Sequence, residues 1–371
     1  DGARVGLRVA DGVIAELGPD VSAADGDQVL DGTGCELVAG LINAHTHAAM
    51  TLFRGYGDDL PLMEWLEKWI WPAEAKLEPD DVYWGTRLAC MEMIRTGTVA
   101  FYDMYWHAGA TARAVDDAGL RAVIGAPLID MGDASGLGGL RDAALGSIDA
   151  VGEVSAGGRI SAALAPHAIY TVSAESLRWV AEQAAEREIP VHIHLSETEK
   201  EVADCLEAHG ARPARYLDEL GLLGPRTILA HGVWLDEDEM DLIAERGATV
   251  VTNPVANMKL AVGGPFPYPA ARERDVELGL GTDGAGSNNS LDLLADAKHF
   301  ALVQKHAAGD PAAVTAREAW ELATGARSKL LGGRASLAAG GRAVFLLVRV
   351  DAPELSLGQL EANLVYAASG A

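Results

Sequence analysis

Leu37-Val-Ala-Gly-Leu-Ile-Asn-Ala-His45-Thr-His47 is the stretch on which the reading of the whole chain turns. Its apolar run is too short for a helix and ends in polar residues, the pattern of a buried strand with two histidines where the strand stops. Alternate residues of a strand share a face, so both imidazoles point to one spot, as two nitrogen ligands of a metal ion would. Taken alone, H-x-H is equally compatible with two structural histidines. What decides is whether later strands end in further ligands.

Outward from that stretch, short apolar runs alternate with helical patterns, which signals βα repeats and a parallel sheet. The later runs are Thr98–Asp103, Arg121–Gly125, Ile160–Ala165, Pro190–Leu195, Thr227–His231, Thr249–Thr252 and Glu277–Asp283. With the first they make eight strands, so the spacing predicts an α/β fold, a (β/α)8 TIM-type barrel over residues 38–332. The helices carry their own punctuation. Asp236 with Glu239 reads as a capping box, Leu235 with Met240 as a hydrophobic staple, and Gly247 as a helix stop. Residues 1–36 alternate in short bursts around Asp-Gly steps at 11–12 and 31–32, as hairpin strands do. A similar pattern returns in Gly341–Val350 and Asn363–Tyr366, so residues 1–37 and 333–371 are expected to form a small β-sandwich beside the barrel.

Composition narrows the function. Among 371 residues, 49% hydrophobic with 42 glycines, acids outnumber bases 54 to 29, for a net charge of −25. Such a charge repels nucleic acid and favours a neutral or zwitterionic small molecule as partner. No stretch of membrane-spanning length lacks charge and no signal-peptide pattern opens the sequence, so a soluble, cytoplasmic protein without a membrane partner is expected. The three cysteines, Cys35, Cys90 and Cys205, are isolated, which argues against a disulfide framework and a C-x-x-C metal site. A homo-oligomer is compatible with a barrel of this size.

His45 and His47 end the first strand, His194 sits near the end of the fifth, His231 ends the sixth and Asp283 ends the eighth. In a (β/α)8 barrel those ends meet at one face, so these residues are expected to converge. Neutral imidazoles and a carboxylate around a first-row dication leave a position for water, whose pKa zinc lowers to about 7. Zinc is the expected metal, at one ion per chain, and iron or manganese would suit the same donors. Glu197, three residues after His194, is placed to shuttle a proton, although a solvated charge at a helix start would look the same. His192 shares the face of His194 and reads as a hydrogen-bonded neighbour. His107, His209, His299 and His306 fall in helical or loop contexts and read as structural.

Two segments after strand ends should shape the pocket. Asp130–Gly139, rich in Gly, Asp and Ser, is expected to be mobile. Met63–Glu74 carries Trp65, Trp69 and Trp71; helical spacing of the first two indicates packing, and Trp71 is a candidate substrate contact on a long loop.

Gly40-Leu-Ile-Asn-Ala-His-Thr-His47, Met50-Thr-Leu-Phe-Arg54, His194-Leu-Ser-Glu197, Leu229-Ala-His231 and Leu280-Gly-Thr-Asp-Gly-Ala-Gly-Ser-Asn-Asn289 resemble the amidohydrolase superfamily. More narrowly the chain resembles its methylthioadenosine and S-adenosylhomocysteine deaminases and their s-triazine hydrolase relatives. The resemblance implies a mononuclear site in which His45, His47, His194 and Asp283 hold the metal and His231 orients the attacking water. It also implies that Glu197 works at the purine ring, that His167 in Ala165-Pro-His-Ala-Ile-Tyr170 contacts substrate, and that Glu74 in Trp71-Pro-Ala-Glu74 binds ribose hydroxyls. The implied reaction is hydrolytic deamination of an adenine nucleoside: methylthioadenosine, 5′-deoxyadenosine, adenosine or S-adenosylhomocysteine. Water adds at C6 while Glu197 protonates N1, Asp283 takes the water's proton, and ammonia leaves.

Two other readings stand beside it. The same machinery could serve an s-triazine, a guanine-type base or a pterin, or a metal-free barrel could act as a scaffold. Glu74 favours a ribose, and the complete ligand set opposes the scaffold. The segment Gly125-Ala-Pro-Leu-Ile-Asp130 holds no arginine for the carboxylate of S-adenosylhomocysteine. With Ala126 expected on the pocket side, only Arg141 is left to supply that cation.

Overall fold

A computed structural model describes residues 4–154, 156–330, 337–355 and 357–368. Eight parallel strands form the ring: Leu41–Thr46, Thr98–Met104, Arg121–Gly125, Ile160–Ala162, Val191–Leu195, Thr227–His231, Thr249–Thr252 and Glu277–Leu280. The first four pair in sequence order, as do the last four. Two seams close the circle. At one, Leu164 N donates to Pro190 O and His192 N to Leu164 O, both at 2.9 Å. At the other, Asp283 N donates to His45 O at 3.1 Å. The chain is therefore a (β/α)8 barrel, and each ring strand is followed by helix, as short buried strands need to cover both faces.

Ile42, Ala44, Ala100, Tyr102, Val123, Ala163, Ile228 and Val251 form one buried cluster drawn from strands across the ring. Larger clusters fill the space between strands and helices, joining Ile193 and Leu229 to Leu177, Leu217 and Ile243. Local signals agree with this packing. Asp236 and Glu239 form the capping box of the helix Glu237–Arg246, Leu235 and Met240 are buried, and Gly247 ends the helix at φ 71°.

The opening stretch is two strands and not one. Cys35–Ala39 pairs antiparallel with Phe345–Arg349, and only Leu41–Thr46 belongs to the ring. Gly40 makes the crossing, since a Cβ there would lie 2.4 Å from Val99 Cγ2. The chain ends meet again where Ile14 N donates to Gly341 O and Gly340 N to Ile14 O, both at 2.8 Å. Gly6–Ala10 and Val13–Gly18 form the expected hairpin around Asp11-Gly12, whose φ values are 50° and 73°. Asn363–Tyr366 departs from expectation: it lies in the helix Leu360–Tyr366, with Leu364 and Val365 buried against the main core. A four-residue apolar run suits either period, and tertiary packing chose the helix. The expected domain boundary at 332–333 lies outside the described residues.

Met63–Glu74 is helical throughout and not a loop. Turns at Leu62–Trp65 and Trp71–Glu74 flank a wider turn at Leu66–Ile70. Pro72 cannot donate a backbone N–H to the preceding turn, which accounts for the change of pitch there. Trp65, Leu66 and Ile70 are buried against Met50 and Tyr105, so this helical segment packs over the mouth of the barrel. Asp130–Gly139 is tied at its start. Asp130 accepts hydrogen bonds from Gly132 N, Ser173 N, Ser173 Oγ and Ser176 Oγ at 2.5–2.9 Å, and a helix begins at Leu137.

Candidate metal centre and active site

The carboxyl ends of the ring strands bring His45, His47, His194, His231 and Asp283 together. A register irregularity between Asn43 and Thr46 re-aims the end of the first strand, as bulges beside functional sites do. His231 and Asp283 adopt left-handed backbone at φ 76° and 62°, an unfavourable conformation for side chains of this kind that the surrounding loops impose. Gly281 is needed for the closure, because a Cβ there would meet Asn253 Oδ1 at 2.3 Å and the His45 backbone at 2.8 Å.

Each imidazole is held from behind. His47 Nδ1 lies 2.6 Å from Met104 O and His194 Nδ1 2.7 Å from His167 O. A carbonyl only accepts, so both rings carry their proton on Nδ1 and turn the Nε2 lone pair inward. His45 Nδ1 contacts His192 Nε2 at 2.8 Å, the role of a hydrogen-bonded neighbour expected of His192. His231 Nδ1 lies 2.8 Å from Asn257 Oδ1, which again leaves Nε2 free.

The inward atoms crowd one point. Asp283 Oδ1 stands 3.2 Å from His47 Nε2 and 3.4 Å from His45 Nε2, and His194 Nε2 is 3.4 Å from His47 Nε2. Ligands on one tetrahedral ion with bonds of 2.0–2.1 Å would be separated by about 3.3 Å. The buried His45 Nε2 has no hydrogen-bond partner, a costly state for a nitrogen lone pair unless something occupies the centre. Residues present therefore fit a divalent ion, with two overlapping groups, His45–His47–His194 and His45–His231–Asp283, each within ligand reach. The second oxygen of Asp283 accepts from Ser287 Oγ at 2.5 Å, which orients the carboxylate.

Electrostatics favour the ligand forms, with one exception. Burial, assisted by neighbouring cations, pushes His45 down to about 4 and His167 to about 3, and it holds His194 well below the usual imidazole range. Burial opposes ionisation of Asp283 as well, yet the imidazoles of His45 and His47 beside its carboxylate, with the charges of His47 and His231, hold its pKa well below the usual carboxylate range. His47 is the exception. Burial would lower it, but the hydrogen bond to Asp283 and that carboxylate's charge raise it to about 9.

Around this centre lies a cavity lined by Trp71, Glu74, His167, Glu197, His231 and Asp283, among others. The structure thus brings together all the expected site residues, with His45 buried beneath the cavity floor. Glu197 is buried, its Oε1 3.8 Å from His231 Nδ1, and burial with the Asp283 charge raises its pKa against the pull of His231. Its backbone is fixed by Glu201, whose two carboxylate oxygens accept from Ser196 N at 2.9 Å and Glu197 N at 2.8 Å. Glu74 Oε2 accepts from Trp106 Nε1 at 3.1 Å, and burial raises its pKa. His167 Nδ1 contacts Thr171 Oγ1 at 2.8 Å.

Some residues escaped the sequence reading. Tyr105, Trp106 and Tyr170 line the cavity, and Asp103 lies behind it, its carboxyl pushed up to about 7 by burial. The first two follow the second strand directly, so the rule that barrel sites gather at carboxyl ends pointed to them. Pro127 and Ile129 face the cavity, whereas Ala126 packs against the hydrophobic core, which corrects the expectation for that strand end. Arg141 does not line the cavity. It lies 3.8 Å from Glu175 and over the Trp179 ring. His107, His209, His299 and His306 also stand apart from the cavity.

Comparison with known proteins agrees with this geometry. The Amidohydrolase family model matches residues 37–369. A 5′-deoxyadenosine deaminase of Methanoregula boonei is 48% identical over 369 residues, covering 97% of this chain and 83% of that protein. A 5-methylthioadenosine/S-adenosylhomocysteine deaminase of Archaeoglobus fulgidus is 43% identical over 365 residues, covering 98% and 85%. The crystal structure of an adenosine deaminase from Xanthomonas campestris with bound zinc superposes with a TM-score of 0.91 at 38% identity, covering 99% of this chain and 85% of that one. The chain belongs to the amidohydrolase family.

Proposed function

We propose that the protein is a zinc-dependent hydrolytic deaminase of an adenine nucleoside, with 5′-deoxyadenosine, methylthioadenosine and adenosine as its preferred substrates. The observation that carries this reading is the placement of Glu197, buried and with its carboxyl pKa raised by burial, in the lining of the same cavity that presents His231, Asp283 and Glu74. Names of the relatives support the substrate class.

His45, His47, His194 and Asp283 would hold the ion. When bound, a dication there lowers the pKa of water toward about 7 and so supplies hydroxide at neutral pH. His231, its Nδ1 anchored on Asn257, directs Nε2 at the attacking oxygen. Asp283 takes the proton that this oxygen gives up. Glu197 delivers its own proton to N1 as the oxygen–C6 bond forms, so the ring gains no net negative charge. The proton held by Asp283 then passes to the exocyclic nitrogen, the C6–N bond breaks with its electron pair leaving on ammonia, and the C6 carbonyl of the inosine counterpart remains. His167, neutral through burial, contacts the base, and Trp71 packs on the nucleoside. Glu74, one oxygen held by Trp106, offers the other to the ribose hydroxyls.

The same reading assigns the catalytic barrel to the ring strands and their helices from Leu41 onward, and a terminal β unit to the strands before Gly40 together with Phe345–Arg349, the helix Leu360–Tyr366 packing on the barrel core. It places the protein in the cytoplasm, with a small molecule and not a nucleic acid as partner, consistent with a charge of −25. Among the described residues no helix is long and apolar enough to cross a membrane. The test is ammonia release by zinc-loaded protein from adenosine, methylthioadenosine and 5′-deoxyadenosine beside guanine and an aminotriazine. Turnover of the bare heterocycles with no turnover of the nucleosides would overturn it.

A further inference from the structure

On the barrel face opposite the metal centre, at the amino-terminal ends of the strands, lies a second cavity of about 540 Å³. Arg121, Arg159, Arg226, Lys329 and Arg342 line it, with Glu188 the one carboxylate among the described residues of the lining. Arg159 is ion-paired with Asp116, and Lys329 with Glu277 at 3.2 Å. Arg121, Arg226 and Arg342 have no acidic ion-pair partner among the described residues.

That arrangement runs against the composition. With 54 acids to 29 bases, an arginine meets a carboxylate more readily than another cation, yet three unpaired guanidinium groups share one recess. Burial lowers the pKa of Arg121, and the charges of Arg342 and Arg159 lower it further. Like charges that share a concavity repel each other, even with Arg226 and Arg342 reaching solvent at its rim, and an anion between them reverses the sign of the interaction.

We propose that this recess binds a small phosphate-bearing anion at a site separate from that of deamination. Guanidinium forks match phosphate oxygens in bidentate pairs, which favours phosphate over a spherical anion. Three unpaired cations call for more than one negative charge. The volume lies within the range of about 300–1,000 Å³ typical of ligand pockets, more than a bare phosphate fills. The ligand class is therefore a chain of two or three phosphoryl groups, free or carried on a nucleoside. The acidic remainder of the surface, at −25 overall, keeps out long polyanions.

Calorimetric titration of the zinc-loaded full chain with inorganic triphosphate, ATP and citrate tests this. Triphosphate should bind with an affinity that falls as salt is raised, and that falls at least about tenfold in Arg121→Gln/Arg342→Gln. Deamination kinetics of this variant should be unchanged, and its ligand-free melting temperature at low salt should equal or exceed that of the parent, because a repulsion has been removed. Arg226→Gln, at the exposed rim, should weaken binding several-fold if the double variant does not fold. Tighter binding of ATP would identify a nucleotide as the source of the phosphates, and equal binding an inorganic chain. Three results overturn the proposal: no binding to the parent, citrate held as tightly as triphosphate, or undiminished binding in the variants, which would put the anion at the metal centre.

Discussion

Asp283 Oδ1 stands 3.2 Å from His47 Nε2, although the two residues follow the last and first strands of the ring. Backbone closure sets this distance, since Asp283 N donates to His45 O in the seam between those strands. One expected consequence is a single tightly held transition metal per chain. Elemental analysis of protein purified without chelator should return one equivalent, and Asp283→Ala should lose most of it. Two equivalents, both needed for activity, would contradict a mononuclear centre.

The same pair makes metal retention depend on pH. In metal-free protein the pKa of His47 is raised to about 9 from 6.5. A raised histidine pKa stabilises the fold fully below the unfolded value, and the contribution fades as pH climbs through the folded value. Metal-free protein should lose this increment between pH 6.5 and 9. Metal binding needs the deprotonated ring, so the zinc-loaded form gains over the same interval. Melting temperatures of loaded and chelated protein should diverge steadily across it; a constant gap would mean that His47 does not compete for a proton.

Glu197→Gln should keep its metal and lose about a hundredfold or more in kcat, the range of a general acid–base group. Burial raises the pKa of Glu197, so the parent's activity should fall on an alkaline limb above the ordinary carboxyl range as the proton is lost. That limb should be missing from the residual activity of the variant. Near-native turnover would reassign the proton shuttle.

Glu201 holds the backbone of Glu197 and is expected to act on the reaction through it. Its burial lifts the pKa to about 7 while two backbone N–H groups pull it down, and both of its oxygens are in use. Glu201→Gln sets an amide NH₂ against a backbone N–H. An unpaired buried donor costs about 1–3 kcal/mol, so denaturant unfolding should show that loss. Displacement of Glu197 should lower kcat with KM little changed. A variant with native stability and native kcat would remove Glu201 from this role.

S-adenosylhomocysteine should be the poorest of the adenine nucleosides, by about tenfold or more in kcat/KM, because a buried carboxylate without a charged partner forfeits that much. Arg141, the one cation left for the task, is occupied by Glu175 and Trp179 outside the cavity. Side-by-side kinetics on four nucleosides would decide. If S-adenosylhomocysteine is preferred, and Arg141→Ala abolishes the preference, the arginine swings inward after all.

The barrel and its candidate ligands were legible because both depend on local periodicity. Thr227–His231 and Thr249–Thr252 have the bounds that their apolar runs predict, and a polar residue ending such a run lies at the carboxyl rim wherever the strand falls in the ring. Other features leave no such trace. Leu37–Thr46 reads as one strand, yet its halves join different sheets, since the partner of Cys35–Ala39 lies some three hundred residues away. Asn363–Tyr366 became a helix because Leu364 and Val365 found a buried surface that no local pattern announces.

From the sequence alone came the number of strands, five candidate ligands and the end of the barrel on which they gather, because each follows from residue type and spacing along one segment. Only the tertiary structure decided which nitrogen of each imidazole turns inward, since that is set by carbonyls of Met104 and His167 on other segments. It likewise decided that Ala126 faces the core while Pro127 meets the cavity, and that unpaired arginines from separate segments share the opposite recess. Such relations depend on distances between atoms far apart in the chain, and those distances exist only once the ring has closed.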